Sequence, residues 1–322
     1  MISPVGSADV TPPNGAVDGQ LLRGQSLVVR LANFVKLPHT VFAMPFALVG
    51  VLFASVKATV TPAMVGWVVV AFTSARFAAM AFNRLVDRDI DAINPRTAMR
   101  ELPAGTLTVG QARASIVVTS ALFVFASWRL NPLCFALSPV ALLWVLGYSY
   151  TKRFTRWSHL WLGLGLSIAP VGGYLAITGV WSDPWWLLCA LALGVMCWTG
   201  GFDTIYALQD AAFDKKHGLH SIPSTFGVDR AIWIARGLHV VAFMSFVAVM
   251  ASAPLGREIP AWSTRLLWVA VFGSALMLVW EHRLVKPHDL SKVDAAFFTM
   301  NGLISLGFLA AVGVARWLMV AA

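Results

Sequence analysis

Long apolar runs alternate with short polar stretches from residue 41 to the C-terminus. Each run is about 18 to 25 residues, the length an α-helix needs to cross a hydrocarbon core. The pattern predicts nine helices, over 41–60, 64–85, 109–128, 132–150, 160–180, 185–208, 231–251, 265–285 and 297–320. The ten-residue alternation of a membrane β-barrel is absent. The expected fold is therefore all-α, a polytopic bundle of membrane helices. Ahead of the first span, "RLANFVKLPHT" reads as a half-helix lying at the interface and bent near Pro38, and Pro45 is placed to kink the span that follows. Residues 1–25 are polar, rich in Gly and Pro, and lack an apolar signal core. They read as a disordered tail ahead of one transmembrane domain over 26–322.

Composition agrees with the pattern. Hydrophobic residues make up 58% of the 322 positions and charged residues only 12%, about half the share of a soluble globule. The net charge of +9 changes the picture through its distribution. With nine spans, 19 of the 24 Lys and Arg fall on one side, and Lys57, Arg129, Arg257, Arg265 and Arg316 fall on the other. The positive-inside rule makes the richer side cytoplasmic, which puts the N-terminus inside and the C-terminus outside a cell inner membrane. The basic excess thus belongs to loops and anionic lipid rather than to nucleic acid. Cys134, Cys189 and Cys197 form no CxxC and read as small core residues.

The polar residues that remain are not scattered. "FNRLVDRDIDAINPRT" (82–97) sets Asn83, Asp87 and Asp91 four apart, so they share one face of a helix that continues past the membrane border, with Asp89 off that face. "GFDTIYALQDAAFDKKHGLHSIPSTFG" (201–227) repeats the device with Tyr206, Asp210 and Asp214, and Asp203 lies seven before Asp210. Each copy then runs into a proline-bearing loop on the cytoplasmic side. One such pair alone reads equally well as a solvated helix end; two matching copies point to a site. Arg76 and Asp203 lie within spans, where charge is costly and usually faces a cavity or a partner.

Crowded carboxylates are hard oxygen ligands whose repulsion divalent cations relieve. Magnesium takes one or two carboxylates and fills its remaining positions with water or phosphate oxygens, so two ions, one per copy, suit a bridging diphosphate. Four aspartates plus a diphosphate of about −3 exceed what two divalent ions neutralise, so basic groups belong nearby. The chain offers Lys152 and Arg153 in "GYSYTKRFT", Arg96 and Arg100 in the first loop, and Lys215 and Lys216 in the second.

These residues resemble a known family. "NRLVDRDIDAINPRT…LPAG" looks like the NxxxDxxxD motif of the UbiA superfamily of intramembrane prenyltransferases, and "YALQDAAFDKKHGLHSIP" is similar to its second aspartate motif. "VKLPHTVFAMPFALVG" and "GYSYTKRFT" resemble its first-helix and fourth-helix signatures. The wording of "NPRTAMRELPAG" is nearest to 4-hydroxybenzoate polyprenyltransferases and their menaquinone-pathway relatives. The resemblance implies a helical bundle around a central cavity capped by the two loops. It also implies Mg²⁺-dependent transfer of a polyprenyl group from its diphosphate to an aromatic acceptor in ubiquinone or menaquinone biosynthesis. On that likeness Asn83, Asp87, Asp91, Asp210 and Asp214 hold the metal, and Lys152 and Arg153 help neutralise the diphosphate. On physical grounds Tyr206, Tyr148 and Tyr174 are candidates to face a carbocation, with ordinary packing the alternative for each and the stronger one for Tyr174. Asp203 is a candidate base, and Arg76 either binds an acceptor carboxylate or pairs with an aspartate. His39 and His159 read as interface residues without a catalytic role. The competing function is a cation or proton transporter that uses the intramembrane charges; product formation from a polyprenyl diphosphate separates the two.

Overall fold

The computed structural model describes residue 24 and residues 26–36, 40–252 and 261–321. The expected tail over 1–25, the bend at Pro38 and His39 lie outside the described residues, apart from residue 24. The secondary structure is helical, with one isolated bridge between Lys286 and Asp289.

A short amphipathic helix, α1 (Leu27–Phe34), is started by Ser26, whose hydroxyl accepts the Val29 N–H. Then come α2 (Thr40–Ala54), α3 (Pro62–Val86), α4 (Arg88–Ile93), α5 (Val109–Leu130), α6 (Pro132–Gly147), α7 (Ser158–Thr178) and α8 (Trp186–Tyr206). The chain ends with α9 (Ala211–Lys216), α10 (Ile222–Phe226), α11 (Val228–Ser252), α12 (Ala261–Leu284), α13 (Val293–Ala295) and α14 (Asn301–Ala321). Among the described residues eight segments are long and apolar enough to cross a membrane, and Ala43–Ala54 is a shorter apolar helix. The nine predicted helices are therefore all present, the first in shortened form. It stops at Ala54 rather than residue 60. The Thr61 hydroxyl accepts the Met64 N–H, and Pro62 occupies the first turn, so this stretch starts α3 instead of prolonging α2.

Helix α2 packs on α7, α7 on α8 and α8 on α11, while α14 packs on both α12 and α2; α3 packs mainly on α5. Some of these contacts are backbone on backbone. A Cβ on Gly50 would meet the Pro170 carbonyl oxygen at 2.0 Å, one on Gly173 the Ala47 oxygen at 2.1 Å, and one on Gly163 the Met196 oxygen at 2.3 Å. Small residues admit such approaches between membrane helices, where dispersion packing has to replace the hydrophobic drive. The main core centres on Phe46, which stacks on Phe246 at 5.8 Å and lies 5.1 Å from Trp198 and 5.6 Å from Phe308.

Two smaller apolar clusters fix the loops that matter for chemistry. Phe34 and Val35 pack with Ala81, Leu107, Ala112 and Ile116, which docks the end of α1 against α3 and α5. Ile205, Leu208, Ile222, Ile232, Val285 and Val293 pack beside the second aspartate motif. Arg30 Nη1 donates to the Thr106 carbonyl at 2.7 Å and so ties α1 to the loop after the first motif.

Candidate active site

The straight helix expected through Asn83, Asp87 and Asp91 is interrupted. Helix α3 ends at Val86, and Asp87 is at once its C-cap and the residue that leads into α4. The i+4 geometry nevertheless survives: Asp91 N–H donates to the Asp87 carbonyl at 2.7 Å, and Asn83 Nδ2 donates to Asp87 Oδ2 at 3.1 Å. The second motif breaks in the same place. Helix α8 ends at Tyr206, a 3₁₀ turn covers Ala207–Asp210, and α9 follows. In both copies the second aspartate, Asp91 or Asp214, sits buried in the short helix after the break. Asp89 points away, with its side chain 85% exposed beside Arg88.

The two motifs meet. Arg96, from the first loop, places Nε 2.9 Å from Asp210 Oδ1 and Nη2 on Asp210 Oδ2, a two-pronged fork across the halves of the chain. Its Nη1 donates to the Tyr206 hydroxyl at 3.1 Å. Asn94 Nδ2 donates to the same Asp210 Oδ1 at 3.2 Å. Arg100 Nη1 pairs with Asp91 Oδ1 at 2.8 Å, and Arg153 Nη2 with Asp87 Oδ1 at 2.9 Å. Lys152 acts electrostatically on both Asp87 and Asp210, and its carbonyl accepts the His220 N–H at 2.7 Å, which seats the second loop against the first half. Arg96, Arg100 and Arg153, expected near a diphosphate, thus grip the carboxylates themselves.

The electrostatics follow from this crowding. Burial pushes the Asp87 carboxyl up from its ordinary value, against the pull of Arg153 and Lys152. Burial works to lower Arg96, but its bonds to Asp210 and Tyr206 more than offset that and hold the guanidinium above its usual range. Lys36, just past α1, is brought down to about 7, first by burial and then by Arg84, Arg100 and Arg96. Among the described residues no three His, Cys, Asp or Glu side chains are arranged to hold a metal ion. The donor set still fits one. Oδ2 of Asp91 and Oδ2 of Asp214 are buried without a hydrogen-bond partner, as carboxylate oxygens awaiting a cation would be.

Other candidates separate clearly. Tyr206 lies 4.4 Å from Phe297 with Arg96 over its ring, so it stands at the cluster. Tyr148 feels both Asp203 and Asp87 electrostatically. Tyr174 does not belong: it is packed in the core beside Gly50 and interacts with Asp183, beyond the other end of α7. Among the described residues Arg76 makes no pair with an aspartate; its Nη1 donates to the Val35 carbonyl at 3.2 Å. His159, expected near an interface, stands in the first turn of α7 and is fully buried, with Nδ1 2.7 Å from Asp203 Oδ2. Asn94, Phe297 and the buried Arg84, 3.8 Å from Glu101, were not singled out from sequence either. Asn94 was visible in "NPRT" but carried no periodic signal.

Known proteins resemble this chain in family and in fold. A family model described as the UbiA prenyltransferase family matches residues 43–303. The chain is 34% identical over 200 residues to a protein of Shewanella amazonensis named 4-hydroxybenzoate octaprenyltransferase, covering 55% of this chain and 67% of that one. It is 38% identical over 153 residues to the protein of that name from Shewanella sediminis, covering 47% of this chain and 52% of the relative, so the chain spans about half the length of that relative. Among solved structures, the apo structure of a UbiA homolog from Aeropyrum pernix K1 matches with a TM-score of 0.76 and 30% identity, over 86% of this chain and 98% of that one. A UbiA homolog from Archaeoglobus fulgidus bound to GPP and Mg²⁺ matches over 89% and 99% with a TM-score of 0.68; at 19% identity the likeness is one of fold.

Proposed function

The chain belongs to the UbiA prenyltransferase family, and from that premise we propose that it transfers a polyprenyl group from polyprenyl diphosphate to an aromatic acceptor of the 4-hydroxybenzoate type, in quinone biosynthesis. The observation that carries the reading is the fork from Arg96 to Asp210, 114 positions apart in sequence, which joins the two aspartate motifs into one cluster. The names of the relatives support the acceptor class. The alternative of a cation or proton transporter has no support from the family match.

Asn83, Asp87, Asp91, Asp210 and Asp214 would hold Mg²⁺, which when bound supplies the electron-withdrawing pull on the leaving diphosphate. Lys152 supplies positive charge that a bound diphosphate requires, as do Arg153, Arg96 and Arg100 once it draws them from their carboxylates. The allylic C–O bond then breaks, with its electron pair going to the diphosphate oxygen. Tyr206 and Tyr148 present π faces or phenol oxygens to the allylic cation and keep water from it. The acceptor ring carbon forms the new C–C bond. Its proton passes to the Asp203 carboxylate, and the C–H electrons restore aromaticity. Arg76 would hold an acceptor carboxylate after release from the Val35 carbonyl. The site lies on the cytoplasmic side of the inner membrane, with the N-terminus on the same side and the C-terminus opposite, and the prenyl tail runs along apolar helix surfaces in contact with lipid. No nucleic-acid partner enters the scheme.

The test is direct. Purified protein, Mg²⁺, a polyprenyl diphosphate and 4-hydroxybenzoate are expected to give prenylated acid by mass spectrometry. If no acceptor in a panel of hydroxybenzoates, dihydroxynaphthoates and porphyrin-type rings is prenylated, the reading fails.

A further inference from the structure

His159 occupies the first turn of α7, and none of its surface is exposed. Its two ring nitrogens are engaged by distant parts of the chain. The backbone N–H of Ile222, the first residue of α10, points at Nε2 from 3.3 Å. Nδ1 lies 2.7 Å from Asp203 Oδ2. A backbone N–H can only donate, so Nε2 has to be the bare nitrogen and Nδ1 carries the hydrogen. The ring therefore donates Nδ1–H to the Asp203 carboxylate.

The loop that supplies Ile222 is itself a built element. The Ser221 hydroxyl accepts the Ser224 N–H, and the Ser224 hydroxyl accepts the Ser221 N–H, a reciprocal cap that starts α10. Leu219 N–H bonds the Asp214 carbonyl, and His220 N–H bonds the Lys152 carbonyl. The same few residues thus dock on the second motif, on the fourth-span signature and on His159.

We propose that His159 is a positioning residue that couples docking of the second cap loop to the orientation of Asp203. When Ile222 is seated, its N–H fixes the imidazole tautomer, and Nδ1–H holds one carboxylate oxygen of Asp203 so that the other faces the acceptor ring. When the loop lifts, Nε2 loses its donor, the tautomer is no longer selected, and Asp203 loses its fixed orientation. Tyr148 feels the charge of Asp203. The role of Asp203 as base rests on the proposed function; the link from loop to histidine does not.

Two near-isosteric variants separate the halves of this link. His159→Asn keeps an amide N–H near the Nδ1 position but loses the acceptor for Ile222. It is expected to expose the Ile222 amide to faster hydrogen exchange while kcat stays within about tenfold of wild type. His159→Gln can offer its carbonyl to Ile222 but not the short donor to Asp203. It is expected to keep Ile222 protected while kcat falls about 100-fold, with KM for the diphosphate within about twofold, the size of loss typical of a residue that orients a functional carboxylate. In an Asp203→Asn background, His159→Gln costs less than about twofold further. Parallel losses in both variants, a loss confined to KM, or full additivity with Asp203→Asn overturns the proposal, since each marks plain packing. Unchanged exchange at Ile222 in His159→Asn overturns it even if no acceptor is ever prenylated, so this arm stands apart from the failure of the proposed function. Cooperative thermal unfolding in detergent confirms that each variant is folded before it is scored.

Discussion

Asp210 is heavily bonded: it accepts a fork from Arg96 and a donor from Asn94. Asp210→Ala and Asp87→Ala are expected to lower turnover by about 100-fold or more, because each removes a charge that organises the site. Asp89→Asn, exposed and paired only with its neighbour Arg88, is expected to stay within about threefold of wild type in the same product assay. Lys36 gives the pH prediction. Its folded value, about 7, lies below the ordinary 10.5, so between those values the folded chain binds fewer protons than the unfolded one. Stability from this group therefore rises as pH climbs above 7 and levels off above the unfolded value, with a slope of at most about 1.4 kcal/mol per pH unit. Melting in detergent at pH 7 and pH 9 checks this, and the rise is expected to be absent in Lys36→Met. At this scale the sequence spoke only where residues repeat. Asp87, Asp91, Asp210 and Asp214 stood out by their spacing. His159 and Asp203, 44 positions apart, and Asn94 and Asp210, 116 apart, become partners only when the chain folds.

Helix packing sets the next level. Gly50, Gly173 and Gly163 let α2, α7 and α8 touch backbone to backbone. Gly163→Leu is expected to lower stability by at least about 1–3 kcal/mol, since the Met196 carbonyl cannot move aside as a flexible side chain would. The check is the loss of melting temperature against Gly66→Leu, whose Cβ would meet nothing within 4 Å. The apolar periodicity located the helices well, because span length is fixed by the bilayer. It did not locate where α3 and α8 break, because those breaks fall where the apolar pattern has already ended. At Asp87 and at Ala207–Asp210 the backbone turns so that the short helices α4 and α9 bring Asp91 and Asp214 into the interior. Tyr174 stayed open for a related reason: tyrosine in a span is chemically plausible anywhere along the helix, and only the fold shows that it packs in the core toward the far end of α7.

For the molecule as a whole, the two halves are joined across the loops through Arg96 to Asp210 and His220 to Lys152. Chelation with EDTA is expected to abolish prenylation and added Mg²⁺ to restore it. Arg96→Gln removes the fork and is expected to cut kcat at least tenfold, with hydrogen exchange in residues 211–227 rising as the loop loosens. The lopsided distribution of lysine and arginine gives the orientation of the bundle as an expectation, and the contact between the motifs was likewise legible only as an expectation from their duplication.

The grip of Arg96 on Asp210 has a consequence for which molecules can settle there. On the proposed function, the protein's own carboxylate is a placeholder for the guest anion. A newcomer gains only the difference between its own attraction for Arg96 and that of Asp210, which must meanwhile find a new partner. A singly charged anion that arrives alone leaves Asp210 stranded and is rejected, while a polyanion that brings its own cations satisfies both sides of the exchange at once.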